Sequence, residues 1–291
     1  MRTSIIRFLG VTALAASLVA PLALAATVPV VNTILTPGGH SDRMKITAVP
    51  AGGQIKHVGK NIHVLSANGT VVHIAKPAPR STAAKARALA KTGWITFASW
   101  LNTGAPIGSF KTSWNVPPVP VGQHGQLLYL FNAIEPANGD AIMQPVLQYG
   151  ISPAGGGQFW GVASWYLYSD QVFHSSLVPV SVGQRLDGEV QLVGVGNGFD
   201  YNSQFTNIQG TGITVVGGEQ LALATITLEA YGVTVISDYP AGKTVFSGIN
   251  LELSNGQFPG ITWSTLNDDA DGLSTVVDVG GSTSATIEIR Y

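Results

Sequence analysis

Amide and carboxylate side chains are the groups best placed to do chemistry in this sequence of 291 residues. Cysteine is absent, which excludes a thiol nucleophile, a disulfide scaffold, a cysteine zinc site and an iron–sulfur cluster. Beyond residue 93 the only histidines are His124 and His174, so a histidine zinc site lacks ligands and a Ser-His-Asp triad has almost no choice of base. The sequence has no Gly-x-Ser-x-Gly elbow, His-Glu-x-x-His motif or phosphate-binding loop. Reactivity is therefore expected from carboxylates assisted by amides.

One carboxylate and one amide are singled out by their positions on strand-like segments. Strand alternation puts Ile226 and Leu228 on one face and Thr227 and Glu229 on the other. The Glu229 carboxylate is therefore expected beside hydroxyl groups rather than in the core. Gln148 likewise alternates with core-like residues on either side of it. Taken alone, each side chain is also typical of an ordinary solvated strand position.

The pattern of residues 94–291 predicts β-structure almost throughout. Runs rich in Val, Ile, Thr and aromatic residues recur between turn signals, and no segment keeps a 3.6-residue period. The predicted strands cover 94–100, 109–114, 126–133, 143–149, 160–168, 185–193, 203–208, 221–230, 244–253, 274–279 and 285–291. This pattern favours an all-β fold, a two-sheet antiparallel β-sandwich of the jelly-roll, concanavalin-like type, preceded by a small basic prosegment.

Charge divides the chain into two parts. Residues 1–93 hold 11 of the 15 Lys and Arg residues but one of the 16 Asp and Glu residues, a formal net charge of +10. Residues 94–291 carry a formal net charge of −11. Nucleic-acid binding by the acidic part is excluded, because contacts with phosphates need Lys and Arg. The two parts are expected to attract each other.

The first residues have the pattern of an export signal. Arg2 and Arg7 precede an apolar run that ends in the small-x-small site Ala23-Leu24-Ala25. We therefore expect a cleavable signal peptide over 1–25 and a secreted or periplasmic protein that is soluble and has no membrane partner. A membrane-spanning interpretation is weaker, because Gly, Thr, Ser and Pro interrupt the run.

Residues 26–93 form a basic segment with few aromatic residues and no evident core of its own. Within it, 61–66 and 70–74 flank Asn68-Gly69, the turn signal of a β-hairpin, and a short basic helix is predicted over 81–91. Two interpretations are open. The segment is a small docking domain or linker, or it is a removable prosegment whose cationic face covers an anionic site until acid protonates the carboxylates that hold it.

Two strings resemble the catalytic strands of the glutamic peptidases, or eqolisins. Val146-Leu147-Gln148-Tyr149-Gly150 is similar to the Ile-Leu-Gln-Thr-Gly strand with the family's catalytic Gln. Ala224-Thr225-Ile226-Thr227-Leu228-Glu229 is similar to the Ala-Glu-Phe-Ile-Ile-Glu strand that ends in its catalytic Glu. Trp165-Tyr166 matches a Trp-Tyr pair of the family, so the resemblance covers most of 94–291. The chain departs from the family in lacking its disulfide and in having no Trp in Leu128-Tyr129-Leu130-Phe131-Asn132.

The resemblance implies a secreted acid endopeptidase that acts on polypeptides without a cofactor or metal, as a monomer that its own prosegment inhibits. Gln148 and Glu229 would form the catalytic dyad, on neighbouring strands that present an amide and an acid to the same water. Glu229 would be the general base and then the general acid, and Gln148 would donate to the oxyanion. The substrate-binding side chains expected around the dyad are Tyr129, Tyr149, Trp165 and Thr227.

Other interpretations stay open beside this one. A non-catalytic, lectin-like carbohydrate-binding sandwich would use an aromatic stacking platform formed by Trp160, Trp165, Tyr166, Tyr168 and Tyr201. The segment 267–278 partly fits a calcium loop, with oxygen-bearing residues at positions one, three, five and twelve and Gly at six, although a polar hairpin loop is the simpler prediction. Gly155-Gly156-Gly157 is predicted to be a flexible loop beside a substrate cleft.

Overall fold

The structure of the protein is a computed structural model that describes residues 32–78 and 93–291. The residues from Asn32 to Tyr291 belong to one compact unit. The expected signal peptide over 1–25 and the expected helix over 81–91 lie outside the described residues. Within the two described ranges, no helix has both the length and the apolar character needed to cross a membrane.

Strands make up nearly all of the regular structure. In chain order they are β1 (Thr33–Thr36), β2 (Gly39–Asp42), β3 (Ile46–Ala48), β4 (Gln54–Val58), β5 (Asn61–Leu65), β6 (Val71–Ala75), β7 (Trp94–Leu101), β8 (Ile107–Asn115), β9 (Leu127–Glu135), β10 (Ala141–Ser152), β11 (Gly155–Tyr168), β12 (Gln171–His174), β13 (Val178–Pro179), β14 (Arg185–Val195), β15 (Phe199–Phe205), β16 (Ile213–Gly218), β17 (Leu223–Tyr231), β18 (Lys243–Leu253), β19 (Ser264–Leu266), β20 (Ser274–Val279) and β21 (Ala285–Arg290). Short 3-10 turns occur at Arg43–Lys45 and Ile236–Asp238.

The strands form two large sheets and one small hairpin. The first sheet has the order β19-β7-β17-β9-β10-β11-β12-β3, with β13 paired to β11. The second sheet has the order β20-β21-β18-β8-β14-β15-β16-β4-β5-β6. Strands β1 and β2 form a separate antiparallel hairpin. The expected all-β, two-sheet sandwich is confirmed.

Strand alternation gives the first sheet two distinct faces. On β9, Leu128 and Leu130 enter the core between the two sheets, whereas Tyr129 and Phe131 belong to a second apolar cluster on the opposite side. That opposite side is termed the outer face of the first sheet. Because side chains paired across neighbouring strands share a face, the register of the sheet decides which residues meet there.

Residues 46–75 extend both sheets of the sandwich. Strand β3 pairs with β12 at the edge of the first sheet, and β4 pairs with β16 in the second. Both of these pairings are parallel, whereas the strand pairs formed within residues 94–291 are antiparallel, as expected for the sandwich. Ile55, Ile62 and Val64 of β4 and β5 are buried in the core between the sheets.

All eleven strands predicted over 94–291 are present, with their ends shifted by a few residues. The predicted hairpin is present as β5 and β6, and Gly69 in its turn has a φ of +82°. The sequence prediction missed β16 and three strands of two to four residues, which are β12, β13 and β19. It was wrong about Gly155-Gly156-Gly157, which begins β11 instead of forming a loop.

Candidate active site

Gln148 and Glu229 lie in one row across three strands of the first sheet. Tyr129 of β9 is the register partner of Gln148 on β10 and of Glu229 on β17. The three side chains therefore share the outer face, at successive strand spacings of about 4.8 Å. The exposed fraction is 1% for Gln148 and 0% for the other two residues. The expectation of neighbouring strands is wrong, because β9 separates the two and places Tyr129 between them.

Glu229 is a fully buried carboxylate that accepts hydrogen bonds from two identified donors. As predicted, Ile226 and Leu228 of β17 turn into the core between the sheets while Glu229 turns the other way. Its Oε1 atom accepts a short hydrogen bond from the hydroxyl of Tyr231, two residues further along the strand. The same atom accepts a hydrogen bond of 2.6 Å from the backbone N–H of Gly38. Such donors stabilise the charged form of a buried carboxylate.

The turn Pro37-Gly38 of the β1–β2 hairpin brings this N–H to Glu229. Proline sets φ at the first central position of such a turn, and glycine adopts the positive φ of the second, which is +98° at Gly38. A Cβ atom on Gly38 would lie 2.8 Å from Leu167 Cδ2, and Leu35 of the hairpin packs against the outer-face cluster. The N-terminal hairpin therefore lies over the outer face, with its backbone against the candidate base.

Both N–H bonds of the Gln148 amide are directed at backbone carbonyls of the β10–β11 hairpin. Nε2 donates to Gly155 O at 2.8 Å and to Gly150 O at 3.1 Å. The Ser152 hydroxyl donates to Gln148 Oε1 at 2.8 Å. Since β11 lies on the side of β10 away from β9, the amide leans away from Glu229.

The glycine run at the start of β11 makes this arrangement possible. Gly156 has a φ of +115°. A Cβ atom there would lie 2.1 Å from Gly150 O and 2.6 Å from Gln148 Nε2. The absence of side chains therefore lets the β11 backbone approach the amide closely.

Tyr129 occupies the position between the amide and the acid. Its hydroxyl makes no hydrogen bond of normal geometry within the described residues. Burial raises the pKa of this hydroxyl well above its usual value, the charge of Glu229 raises it further, and the neighbouring Ser152 hydroxyl lowers it. Tyr129 is therefore a neutral group with a proton to donate at acid and neutral pH.

The four residues expected to bind substrate are divided between the two faces of the sheet. Those on the outer face are Tyr129, Trp165 and Thr227. Tyr149 instead packs in the core between the sheets, where its exposed fraction is 2%. This placement follows from strand alternation, because Tyr149 is the next residue after Gln148. The first sheet therefore separates Tyr149 from the candidate site.

Sequence reasoning missed two polar side chains on the outer face, at Gln144 and Tyr231, whereas alternation places Thr225 on the face of Glu229. Gln144 is paired in register with Trp165, and within the described residues neither its amide atoms nor the Trp165 indole nitrogen has a hydrogen-bond partner. The buried Thr225 hydroxyl likewise has no partner among residues 32–78 and 93–291. The signal that could have found them is the same two-residue alternation that places Gln148 on this face.

Asp170 fastens the N-terminal segment to the sandwich at the turn between β11 and β12. Lys45 Nζ lies 3.3 Å from its carboxylate, and the backbone N–H of Ala78 donates to it at 2.9 Å. Burial alone would raise the pKa of Asp170, but hydrogen bonds from Ala78, Gln171 and Lys45 and the charge of Lys45 lower it. Protonation of Asp170 would therefore weaken two attachments of this segment.

The aromatic residues of the lectin interpretation do not form an exposed platform. Four of them have exposed fractions of 2% or less: Trp160, Trp165, Tyr166 and Tyr201. Tyr168 is half-buried, and its ring lies 4.7 Å from that of His57. Four of the five rings are therefore closed to a sugar ring, and the fifth is only partly exposed.

The segment 267–278, the alternative calcium loop, has a hydrogen bond across it that is typical of a hairpin loop. Asn267 Oδ1, at the first position of the loop, accepts a hydrogen bond of 2.9 Å from the Thr275 backbone N–H. Across residues 32–78 and 93–291, no three or more His, Asp or Glu side chains gather in a way that could hold a metal ion. The chemistry that the site offers is thus that of a carboxylate, an amide and a phenol.

Comparisons with known proteins give distant likenesses. No protein-family model matches the chain, and no curated protein matches it. A crystal structure of scytalido-glutamic peptidase with a peptide-based transition-state analogue is 13% identical with a TM-score of 0.46, covering 69% of this chain and 98% of that one. SCP-B, described as a member of the eqolisin family in complex with the tripeptide Ala-Ile-His, is 13% identical with a TM-score of 0.41 and the same coverage.

A further solved structure is the CBM2 module of an evolved Dit protein of Lactobacillus casei BL23 phage J-1. It is 9% identical with a TM-score of 0.29, covering 84% of this chain and 82% of that one. With TM-scores below 0.5, none of these likenesses assigns an activity to this chain.

Proposed function

We propose that the protein is a secreted acid endopeptidase of the glutamic type, made as an inactive precursor. The observation that carries the proposal is the row of Glu229, Tyr129 and Gln148 on one buried sheet face, with a backbone N–H bonded to the Glu229 carboxylate. A peptide backbone already occupies the place where a peptide substrate would be cleaved. The resemblance of the strands around Gln148 and Glu229 to eqolisin strands supports the same assignment.

Glu229 acts in this proposal on a water molecule that takes the place of the Gly38 N–H. The ionised carboxylate removes a proton from water as the water oxygen adds to the carbonyl carbon of the substrate. The proton then passes to the amide nitrogen as the C–N bond breaks, which gives a carboxylic acid and an amine. A glutamate of ordinary pKa is ionised above about pH 4, so a catalytic role in acid depends on its surroundings.

Gln148 is the second member of the proposed dyad. In the described state both of its N–H bonds are directed at the carbonyls of Gly150 and Gly155, and the amide holds the β10–β11 hairpin beside the site. Donation to an oxyanion requires that the substrate replace one of these carbonyls. Loss of one oxyanion donor typically costs about 10²–10³ in rate.

Residues 26–93 act in this proposal as the inhibitory prosegment. The β1–β2 hairpin covers the outer face, and Asp170 holds Lys45 and Ala78 on either side of the strands β3–β6. A cut between Ala78 and Trp94 and protonation of the carboxylates that hold the segment would together free Glu229. The exposed Glu229 carboxylate would then contact a polypeptide substrate.

Digestion of an unfolded protein by the acid-treated chain, after a cut between Ala78 and Trp94 has been verified, tests the proposal. The chain is incubated at pH 3–5, and new peptides are identified by mass spectrometry, with pepstatin present to exclude contaminating aspartic peptidases. We expect hydrolysis that pepstatin does not inhibit. The absence of any peptide product would contradict the proposal. If the same chain is also retained on immobilised glycans, a carbohydrate-binding protein is favoured instead.

A further inference from the structure

Tyr129 is a polar side chain of the outer face to which the proposed dyad of Gln148 and Glu229 assigns no role. It is the register partner of both Gln148 and Glu229, so it stands between them in the row. Its side chain is fully buried, and within the described residues its hydroxyl makes no hydrogen bond of normal geometry, although the Ser152 hydroxyl lies near enough to lower its pKa. Burying a hydroxyl group without a hydrogen-bond partner costs free energy, unless another group forms a hydrogen bond with it.

The neighbours of Tyr129 keep its hydroxyl protonated and leave its proton available. The Ser152 hydroxyl beside it is committed to Gln148 Oε1, to which it donates at 2.8 Å. Burial and the charge of Glu229 both raise the pKa of Tyr129, so the phenol stays neutral. A neutral phenol can donate one strong hydrogen bond, which is what a developing oxyanion needs.

The Gln148 amide is less available for the same task. Its Nε2 atom already donates to two backbone carbonyls, at 2.8 and 3.1 Å, and it leans towards β11. Exchanging the two ends of the amide would set its oxygen against those carbonyl oxygens, so the hydrogen-bond network fixes the present orientation. An oxyanion beside Glu229 would therefore find the Tyr129 hydroxyl without any rearrangement of the β10–β11 hairpin.

We propose that Tyr129 is a catalytic residue, whose hydroxyl donates a hydrogen bond to the oxyanion formed when water adds to the substrate carbonyl. This inference rests on the proposed function of Glu229. The Tyr129 proton remains on the phenol throughout. The proton from water goes to Glu229 and then to the leaving amine, so Tyr129 stabilises charge without accepting or losing a proton.

The variant Tyr129→Phe tests this role, and Tyr149→Phe is its matched control. Both tyrosines are buried on the first sheet, and neither hydroxyl has a hydrogen-bond partner in the described residues, but Tyr149 faces the core between the sheets. Each change keeps the ring and removes only the oxygen. We expect Tyr129→Phe to lower kcat about 10²-fold with KM little changed, and Tyr149→Phe to leave both constants within about twofold.

Three measurements on acid-activated protein separate the possible outcomes. Melting temperatures of the two variants should agree, which excludes a folding defect as the cause of a lower kcat. If Tyr129→Phe keeps a wild-type kcat while Glu229→Gln is inactive, the oxyanion role is overturned and the proposed function stands. If Glu229→Gln is fully active, the proposed function and the role of Tyr129 both fail.

Discussion

The backbone N–H of Gly38 donates to the Glu229 carboxylate at 2.6 Å, although 191 positions separate the two residues in the chain. This hydrogen bond joins the start of the described chain to the carboxylate of the row on the outer face. Asp170 makes a second attachment through Lys45 and Ala78. The inhibitory role proposed for the N-terminal segment can therefore be tested at each attachment separately.

A side chain at Gly38 should weaken the inhibitory contact. Gly38→Ala would introduce a Cβ atom 2.8 Å from Leu167 Cδ2 at a φ of +98°, where L residues are strained. We expect the precursor to gain activity several-fold faster in acid. Gly59→Ala is the matched control, because Gly59 also has a positive φ but a Cβ atom there meets nothing within 4 Å. Equal activation rates for the two variants would contradict the inhibitory contact.

Protonation of Asp170 should loosen the N-terminal segment. The pKa of Asp170 is lower in the folded chain than in the unfolded chain, where it is about 3.9. Its contribution to stability is therefore present above about pH 4 and is lost as pH falls through the folded-state pKa. Asp170→Asn removes this contribution at every pH. The N-terminal segment of the variant should therefore dissociate at a higher pH than the N-terminal segment of the wild-type protein.

Size-exclusion chromatography across pH 2–7 measures this effect as the release of the N-terminal segment after a cut between Ala78 and Trp94. Asp187→Asn serves as the control, since Asp187 pairs with Arg185 on β14, and β15 and β16 separate β14 from the N-terminal strand β4. An identical release profile for wild type and Asp170→Asn would show that this carboxylate does not govern the attachment.

Two glutamines of β10 should respond oppositely to replacement by leucine. Gln148→Leu would leave the carbonyls of Gly150 and Gly155 without this donor, which we expect to lower the free energy of unfolding by about 1–3 kcal/mol. The same variant would lose an oxyanion donor, so its peptide-cleavage rate should fall by about 10²–10³-fold. Gln144→Leu would remove a buried amide that has no hydrogen-bond partner among the described residues, so it should be neutral or stabilising. Urea denaturation and a peptide-cleavage assay measure the two effects. Equal loss of stability in both variants would refute the difference in hydrogen bonding.

The local geometry of the site follows from the sequence, whereas its assembly does not. Alternation along β17 predicts that Leu228 turns inward and Glu229 outward, and the same rule on β10 separates Gln148 from Tyr149. That rule also shows why Tyr149 was a poor choice for a substrate-binding residue. Periodicity describes one strand at a time, so it carries information about the face of a residue but none about which strand lies alongside.

The unpredicted features that assemble the site depend on contacts between distant parts of the chain. The insertion of β9 between β10 and β17 places Tyr129 between the two proposed catalytic groups, and no local pattern encodes that strand order. The charge division indicated attraction between the two parts of the chain. It did not indicate that β3 and β4 would add to different sheets or that a glycine N–H would reach Glu229.

The most direct measurement is the cleavage rate of acid-activated Glu229→Gln on an unfolded protein substrate, compared with wild type and with Glu189→Gln. Glu189 is also a buried carboxylate, with an exposed fraction of 6%, but it lies on the second sheet and pairs with Lys111. The predicted result is a loss of about 10³-fold or more in Glu229→Gln and little change in Glu189→Gln. Cleavage by Glu229→Gln at the wild-type rate would contradict the assignment of Glu229 as the catalytic base.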